Sequence, residues 1–201
     1  MAFDRAGSAP FPRAELDAFW ADWLQANRDA QDAGDWGPMA DLYAADATYG
    51  WSYGPDEHFM AVGREEIREL ALGQEMLGFD GWDYPYQSAV IDSENGQVVG
   101  FWRQRARFVD NDGVRYEVPG LGCSWFQYAG NREWAWQRDI FDAESAKDTV
   151  VRIIKDGKMS KTLEARINMT LAGEVKAHYP LADLSAPLWP VPVVDGAEVT
   201  T

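Results

Sequence analysis

Apolar positions change their spacing partway along the chain. From Glu15 to Ala33 they recur at three and four residues, through Leu16, Phe19, Trp20, Trp23 and Leu24, with Asn27 one turn beyond Trp23. That spacing predicts an amphipathic helix, and Gly34 ends it. A second, short helix is expected over Met39 to Tyr43, after Asp35-Trp36-Gly37-Pro38. A third is expected from Gly63-Arg64-Glu65-Glu66-Ile67 to about Leu77. Between them residues 47–53 alternate: Tyr49, Trp51 and Tyr53 share one face of a short strand, and Thr48, Gly50 and Ser52 the other. Gly54 to His58 reads as a loop.

From Trp82 onward the period is two. Strands are expected over Tyr84 to Asp92, Gln97 to Val109 and Val114 to Tyr128, divided by the turns Ser93-Glu94-Asn95-Gly96 and Asp110-Asn111-Asp112-Gly113. Pro119-Gly120-Leu121-Gly122 is expected to bend or bulge the third of these. A last strand runs from Glu133 to Asp142. On it Trp134, Trp136, Arg138 and Ile140 alternate with Ala135, Gln137, Asp139 and Phe141. Helices followed by an antiparallel meander predict an α+β domain over 14–143, in which helices close one face of a bent sheet around a cavity. Residues 1–13 read as a flexible arm. The 144–201 extension holds two helical stretches, Glu144 to Lys155 and Ser160 to Tyr179, then a proline-rich extended run from Pro180 to Val194. Their apolar sides need burial, so packing or an oligomer contact is expected ahead of a lid over the pocket.

Charge and composition narrow the partners. A formal charge of −15 repels nucleic-acid phosphates and anionic membranes. Ten Trp, eight Tyr and nine Phe serve a core and also suit a pocket for a flat or aromatic ligand. Cys123 is the sole cysteine and His58 and His178 are the two histidines. An intramolecular disulfide is therefore impossible, and a cysteine or multi-histidine metal centre is not expected. The sequence shows no N-terminal apolar segment and no membrane-length run, which makes the cytoplasm the expected location.

Asp139 is the leading candidate for chemistry. Held on a rigid strand inside an apolar cavity, its carboxylate would be raised toward working pH by desolvation; on the surface it would pair with an arginine. His58 is either a proton shuttle at the pocket mouth or a solvated loop side chain. Tyr49 and Tyr53 offer hydroxyls to a departing oxygen, or pack in the core. Arg103, Arg105 and Arg107 share one strand face. If that face meets the pocket, Arg105 is the polarising cation; otherwise it is solvated, and Trp102, Gln104, Ala106 and Phe108 point inward. Glu117 is a second carboxylate or the partner of those arginines. Trp23, Trp51, Phe126 and Phe141 are aromatic walls or ordinary core, and Asn27 is placed to hydrogen-bond a ligand oxygen.

Gly34-Asp35, Asp41 through Tyr49, Gly63 through Leu70 and the closing Trp136-Gln137-Arg138-Asp139-Ile140-Phe141-Asp142, in that order, resemble the nuclear transport factor two-like superfamily. The resemblance spans about residues 14–143. It is nearest in style to SnoaL-like polyketide cyclases, ketosteroid isomerases and limonene epoxide hydrolases. It implies a cone-shaped α+β barrel with a deep apolar pocket, assembled as a homodimer or homotrimer, and acid–base chemistry without cofactor or metal. Trp51 stands where ketosteroid isomerases place a general-base aspartate, and Ser124 or Cys123 where they use a second acid. Tyr49 and Asp139 match the tyrosine and end-strand aspartate of the epoxide hydrolases, whereas no aspartate accompanies Arg105. Sphingomonad diarylpropane lyases are similar in length and extension, and imply deformylation of a lignin-derived diol to a stilbene. Residues and resemblance together point to a cofactor-independent lyase or dehydratase acting on a hydrophobic, hydroxylated aromatic molecule, with Tyr49, His58, Arg105 and Asp139 as catalytic groups. The alternatives are a ligand-binding or assembly module of the same fold, and an epoxide-hydrolase-like enzyme with Asp139, Arg105 and Glu117 around one water.

Overall fold

The structure, a computed structural model, describes residues 11–191. Helix α1 (Arg13–Ala33) buries Leu16, Phe19, Trp20, Trp23 and Asn27 of the expected stripe, adds Ala30 and Gln31, and leaves Leu24 half-buried; Gly34 closes it at φ 68°. Two polar members of the stripe hold the chain entering the meander. Gln31 Oε1 accepts from Tyr84 N at 2.6 Å, and Asn27 Nδ2 donates to Tyr84 O at 3.3 Å. The expected second helix is a 3-10 turn, Gly37–Leu42. The expected third is broken into an α turn, α2 (Arg64–Glu66), a π segment at Ile67–Ala71 and a 3-10 turn at Gln74–Met76.

The strands are β1 (Tyr43–Ser52), β2 (His58–Val62), β3 (Trp82–Asp83), β4 (Tyr86–Asp92), β5 (Gln97–Val109), β6 (Arg115–Gly130), β7 (Glu133–Ile140) and β8 (His178–Tyr179). They form one curved, unclosed sheet in the order β3-β5-β6-β7-β1-β2-β8, with β4 also paired to β5. The β1–β7 pair is parallel. Curvature comes with slips in register. Trp102 pairs with Gly122 but Gln104 with Val118, so the 119–121 stretch forms the expected bulge, with Gly120 at φ 106°. A second slip corrects the expected alternation on β7. Tyr128 pairs with Trp134 and Gln127 with Trp136, so Ala135 is the extra residue and Trp134 turns to the core face that Gln137 and Asp139 share.

Aromatic rings fill the space between α1 and this face. Phe19 meets Trp134 at 4.6 Å between centroids, and Trp23 meets Phe126 at 5.1 Å. Each fully buried phenylalanine contributes about 1.5–3 kcal/mol.

The extension packs on the domain. Helix α3 (Ala143–Lys155) is capped by the Asp142 side chain on Ser145 N, and α4 (Lys161–Ala172) by Ser160 on Leu163 N. Gly173, at φ 69°, stops α4 short of the expected Tyr179, and His178–Tyr179 joins the sheet instead. Ile153 and Leu163 form a second core with Trp82, Ala106 and Tyr116. On the opposite face of β7, Arg138 donates to Leu188 O at 3.0 Å and Pro187 O at 2.8 Å, and Trp189 meets Trp125 at 5.6 Å. The proline-rich run is thereby tied to the sheet. Of the expected N-terminal arm, residues 1–10 lie outside the described residues, while Phe11 packs on Tyr128 at 4.9 Å.

Candidate active site

A cavity of about 170 Å³ lies between α1, the broken 64–76 stretch and the inner face of the sheet. A cavity of about 150 Å³ holds benzene, so this one accommodates a single substituted ring. Trp23, Trp36, Trp51, Trp102, Tyr84 and Phe141 are among the rings of its wall. Two glycines let rings approach the sheet. A Cβ at Gly122 would lie 2.3 Å from the Trp102 ring, and one at Gly100 would lie 2.5 Å from Trp20 and 2.7 Å from Tyr86.

One polar centre faces this cavity from three adjacent strands. Asp139 of β7 pairs in register with Ser124 of β6 and Trp51 of β1. Tyr49 donates to Asp139 Oδ2 at 2.6 Å, and Gln137 Nε2 donates to Oδ1 at 2.8 Å. Gln137 is itself oriented by Tyr43, whose hydroxyl donates to Gln137 Oε1. Ser124 Oγ accepts from Trp102 Nε1 at 2.9 Å and Tyr86 at 3.2 Å. Burial raises the Asp139 carboxyl above its ordinary value, although hydrogen bonds from Gln137, Tyr49 and Ser124, and the charge of Arg138, pull the other way. Burial likewise raises the phenols of Tyr43 and Tyr49, with the Asp139 charge adding to it. Arg138 points away from the cavity and bonds to neutral acceptors, among them Thr48 O and Oγ1. Burial lowers it to about 10.

A second polar centre stands at the same cavity. Glu75 Oε2 accepts from Tyr53 at 2.5 Å, and Oε1 accepts from Arg166 Nη2 at 2.8 Å and Gln74 Nε2 at 3.0 Å. His178 Nε2 lies 3.2 Å from the same Oε1, and its Nδ1 lies 2.8 Å from Glu57 Oε1. Burial alone would raise Glu75, but the hydrogen bond from His178, the Arg166 charge and Tyr53 outweigh it and hold the carboxyl below its ordinary range. Burial alone would lower His178, and the two glutamates outweigh it and raise the imidazole. Among the described residues, no group of three or more His, Cys, Asp or Glu is arranged to hold a metal ion.

Of the residues singled out in the sequence, Tyr49, Asp139, Trp23, Asn27, Trp51, Tyr53 and Phe141 line the cavity. Four others do not. His58 is the first residue of β2, not a loop residue. Phe59 turns inward and stacks on Trp51 at 4.1 Å, which sends the His58 ring to the other face, buried and with neither nitrogen hydrogen-bonded. Arg105 lies on the outer face of β5, its Nε 4.0 Å from Glu117, and borders an outside groove with Arg28 and Arg107. Glu117 is on that outer face too, paired with Arg103 at 2.5 Å. Phe126 is fully buried beneath Trp23 and Trp134. The groups the sequence did not single out as site residues are Gln137, Ser124, Tyr84, Trp102, Gln104 and Glu75. Strand alternation placed Gln137 beside Asp139 and Trp102 beside Gln104, and was the available signal for them. Glu75 carried none.

No family model matches this chain, and no curated protein matches it. Solved structures do. A protein from Jannaschia sp. CCS1, assigned as a SnoaL-like polyketide cyclase, aligns with TM-score 0.53 and 13% identity over 72% of this chain and 97% of that one. A steroid delta-isomerase from Pseudomonas aeruginosa aligns with TM-score 0.50 and 14% identity over 82% and 99%. An NTF2-like protein from Anabaena variabilis ATCC 29413 aligns with TM-score 0.50 and 17% identity over 68% and 96%. At such identities the likeness concerns architecture: this chain has the curved-sheet, cone-shaped α+β fold of the nuclear transport factor two-like structures.

Proposed function

We propose that the protein is a cofactor-independent lyase or dehydratase acting by acid–base catalysis on a hydrophobic, hydroxylated aromatic molecule. The observation that carries this reading is Asp139: a carboxyl with a raised pKa, on a rigid strand, at the wall of a ring-lined cavity. Protonated Asp139 gives its proton to a departing benzylic hydroxyl. The C–O bond breaks, water leaves, and the electron pair of a ring phenol closes a quinone-methide-like acceptor as the phenol proton is lost. Tyr49 and Gln137 hold the resulting carboxylate. In a 1,3-diol, Asp139 then takes the proton of the terminal hydroxyl and formaldehyde departs. The pair from the broken C–C bond forms the new double bond, the quinone-methide pair returns to the ring oxygen, which recovers the phenol proton lost in the first step, and Asp139 is protonated again. A diarylpropane diol fits with one ring inside and the other at the mouth, since 170 Å³ holds one ring.

Arg105, Glu117 and His58 do not line the cavity, and this reading gives them no part in the chemistry. This also removes the carboxylate–arginine–carboxylate set an epoxide hydrolase of this style needs. A non-catalytic ligand-binding module is the second reading, favoured by the hydrogen bonds that both Asp139 oxygens already accept from donors of its own chain. Screening phenolic diols, diarylpropane diols included, for stilbene absorbance separates the two. Turnover abolished in D139N and kept in H58A supports the enzyme; tight binding of aromatic diols without turnover of any supports the binding module.

A further inference from the structure

The sequence pointed to His58 as the histidine of the site, yet the histidine that reaches a cavity-lining group is His178, far along the chain. We propose that Tyr53, Glu75 and His178 form a second proton-handling site at the cavity wall, which binds an acidic hydroxyl on the aromatic ring of the ligand.

The direction of the hydrogen bonds sets what this site accepts. The Tyr53 proton is directed at Glu75 Oε2, 2.5 Å away, so toward any other group the Tyr53 oxygen, which lines the cavity beside the Trp51 donor, can only accept. A ligand group meeting it must donate, and a phenolic O–H does. Glu75, with a side chain 4% exposed, keeps its charge because Arg166 lies 2.8 Å away and His178 3.2 Å away. The imidazole stacks on Tyr53 at 5.3 Å with 12° between planes, which fixes the phenol from behind. Its other nitrogen meets Glu57, whose side chain is 60% exposed, so the chain of groups ends in solvent. Arg166 belongs to α4 and His178 to β8. The C-terminal extension therefore completes this wall.

The two carboxyls of the cavity are pushed in opposite directions, Asp139 up and Glu75 down. Such divergence separates acid from base. The chemical role rests on the lyase reading above. As the benzylic C–O bond breaks, the ring phenol becomes strongly acidic. Its proton passes to the Tyr53 oxygen while the Tyr53 proton passes to Glu75 Oε2. Asp139 has lost one proton to the departing water and Glu75 has gained one from the phenol. A weakly basic carboxylate suffices for that step, since the phenol sheds its proton only as positive charge develops on the ring.

The binding part is tested without turnover. Calorimetry compares 4-propylphenol with 4-propylanisole, two single-ring probes that differ by the O–H donor, on wild type and the Y53F, E75Q and D139N variants. The expected result is a preference of about ten-fold or more for the phenol in wild type and D139N, falling to near one in Y53F, which lacks the accepting oxygen, and reduced in E75Q, where the charge behind Tyr53 is gone. No preference in wild type, or a preference kept in Y53F, overturns the assignment. Because the readout is equilibrium affinity, a protein that turns nothing over leaves this result intact, and an active enzyme with no phenol preference refutes it alone.

Discussion

The Tyr49 hydroxyl donates to Asp139 Oδ2 at 2.6 Å, linking β1 to β7, the parallel pair of the sheet. Tyr49 pairs with Gln137 in that register and Trp51 with Asp139, so the bond is diagonal and the backbone fixes it. It stabilises the ionised carboxylate. In Y49F the Asp139 pKa is expected to rise by roughly one unit, as a hydrogen bond to a charge is worth that much. The alkaline limb of the pH–rate profile, which reports protonated Asp139, should move upward accordingly, with turnover at the optimum about ten-fold lower.

Replacing Asp139 by Asn should lower turnover by roughly 10²–10⁴-fold without unfolding the protein. The stability effect has a definite sign. A carboxyl raised above 3.8 in the folded state binds more protons folded than unfolded. Stability therefore falls as pH rises from 3.8 through the folded value, and is flat above it. D139N escapes that loss, so its melting temperature relative to wild type should be higher at pH 7 than at pH 4.

The sequence made Asp139 legible because period two on a strand places it beside Gln137 and opposite Arg138, and the structure keeps that order. The same rule misplaced Trp134, because one extra residue at Ala135 reverses the face and pattern alone does not reveal a bulge. His58 was read as loop because Gly54-Pro55-Asp56-Glu57 is turn-forming, yet β2 begins at His58 itself. Its pairing with Tyr179 joins segments more than a hundred positions apart. The Glu75 cluster was invisible for the same reason. Arg166 and His178 reach it over separations of 91 and 103 residues, and neither lies in a motif. The curved α+β core, by contrast, follows from the helical stripe and the turn-punctuated strands.

Filling the cavity separates binding from folding. Ala146 on α3 lines it and is partly exposed. In A146F the ring is expected to take up ligand space at little cost to the fold. Affinity for single-ring aromatics should drop at least ten-fold by calorimetry, with the melting temperature within a few degrees of wild type.

The contact of Glu75 with Arg166 and His178 of the extension should be pH-dependent. His178 is raised above 6.5, so its contribution is complete below 6.5 and is lost as pH rises through the folded value. Glu75 is lowered below 4.5, so its contribution is present above 4.5 and is lost as pH falls through the folded value. Between those limits both are charged. H178Q should therefore destabilise the protein most between about pH 4.5 and 6.5 and least at pH 9, as measured by denaturant melts across that range.

On the lyase reading, Asp139 is a proton-carrying group in contact with bound aromatic ligand. A carbon-13 titration of the Asp139 carboxyl, assigned by its loss in D139N, measures this directly, with and without 4-propylphenol. The expected midpoint lies above 3.8 and moves when the ligand fills the cavity. A midpoint at or below 3.8, unchanged by ligand, would contradict it.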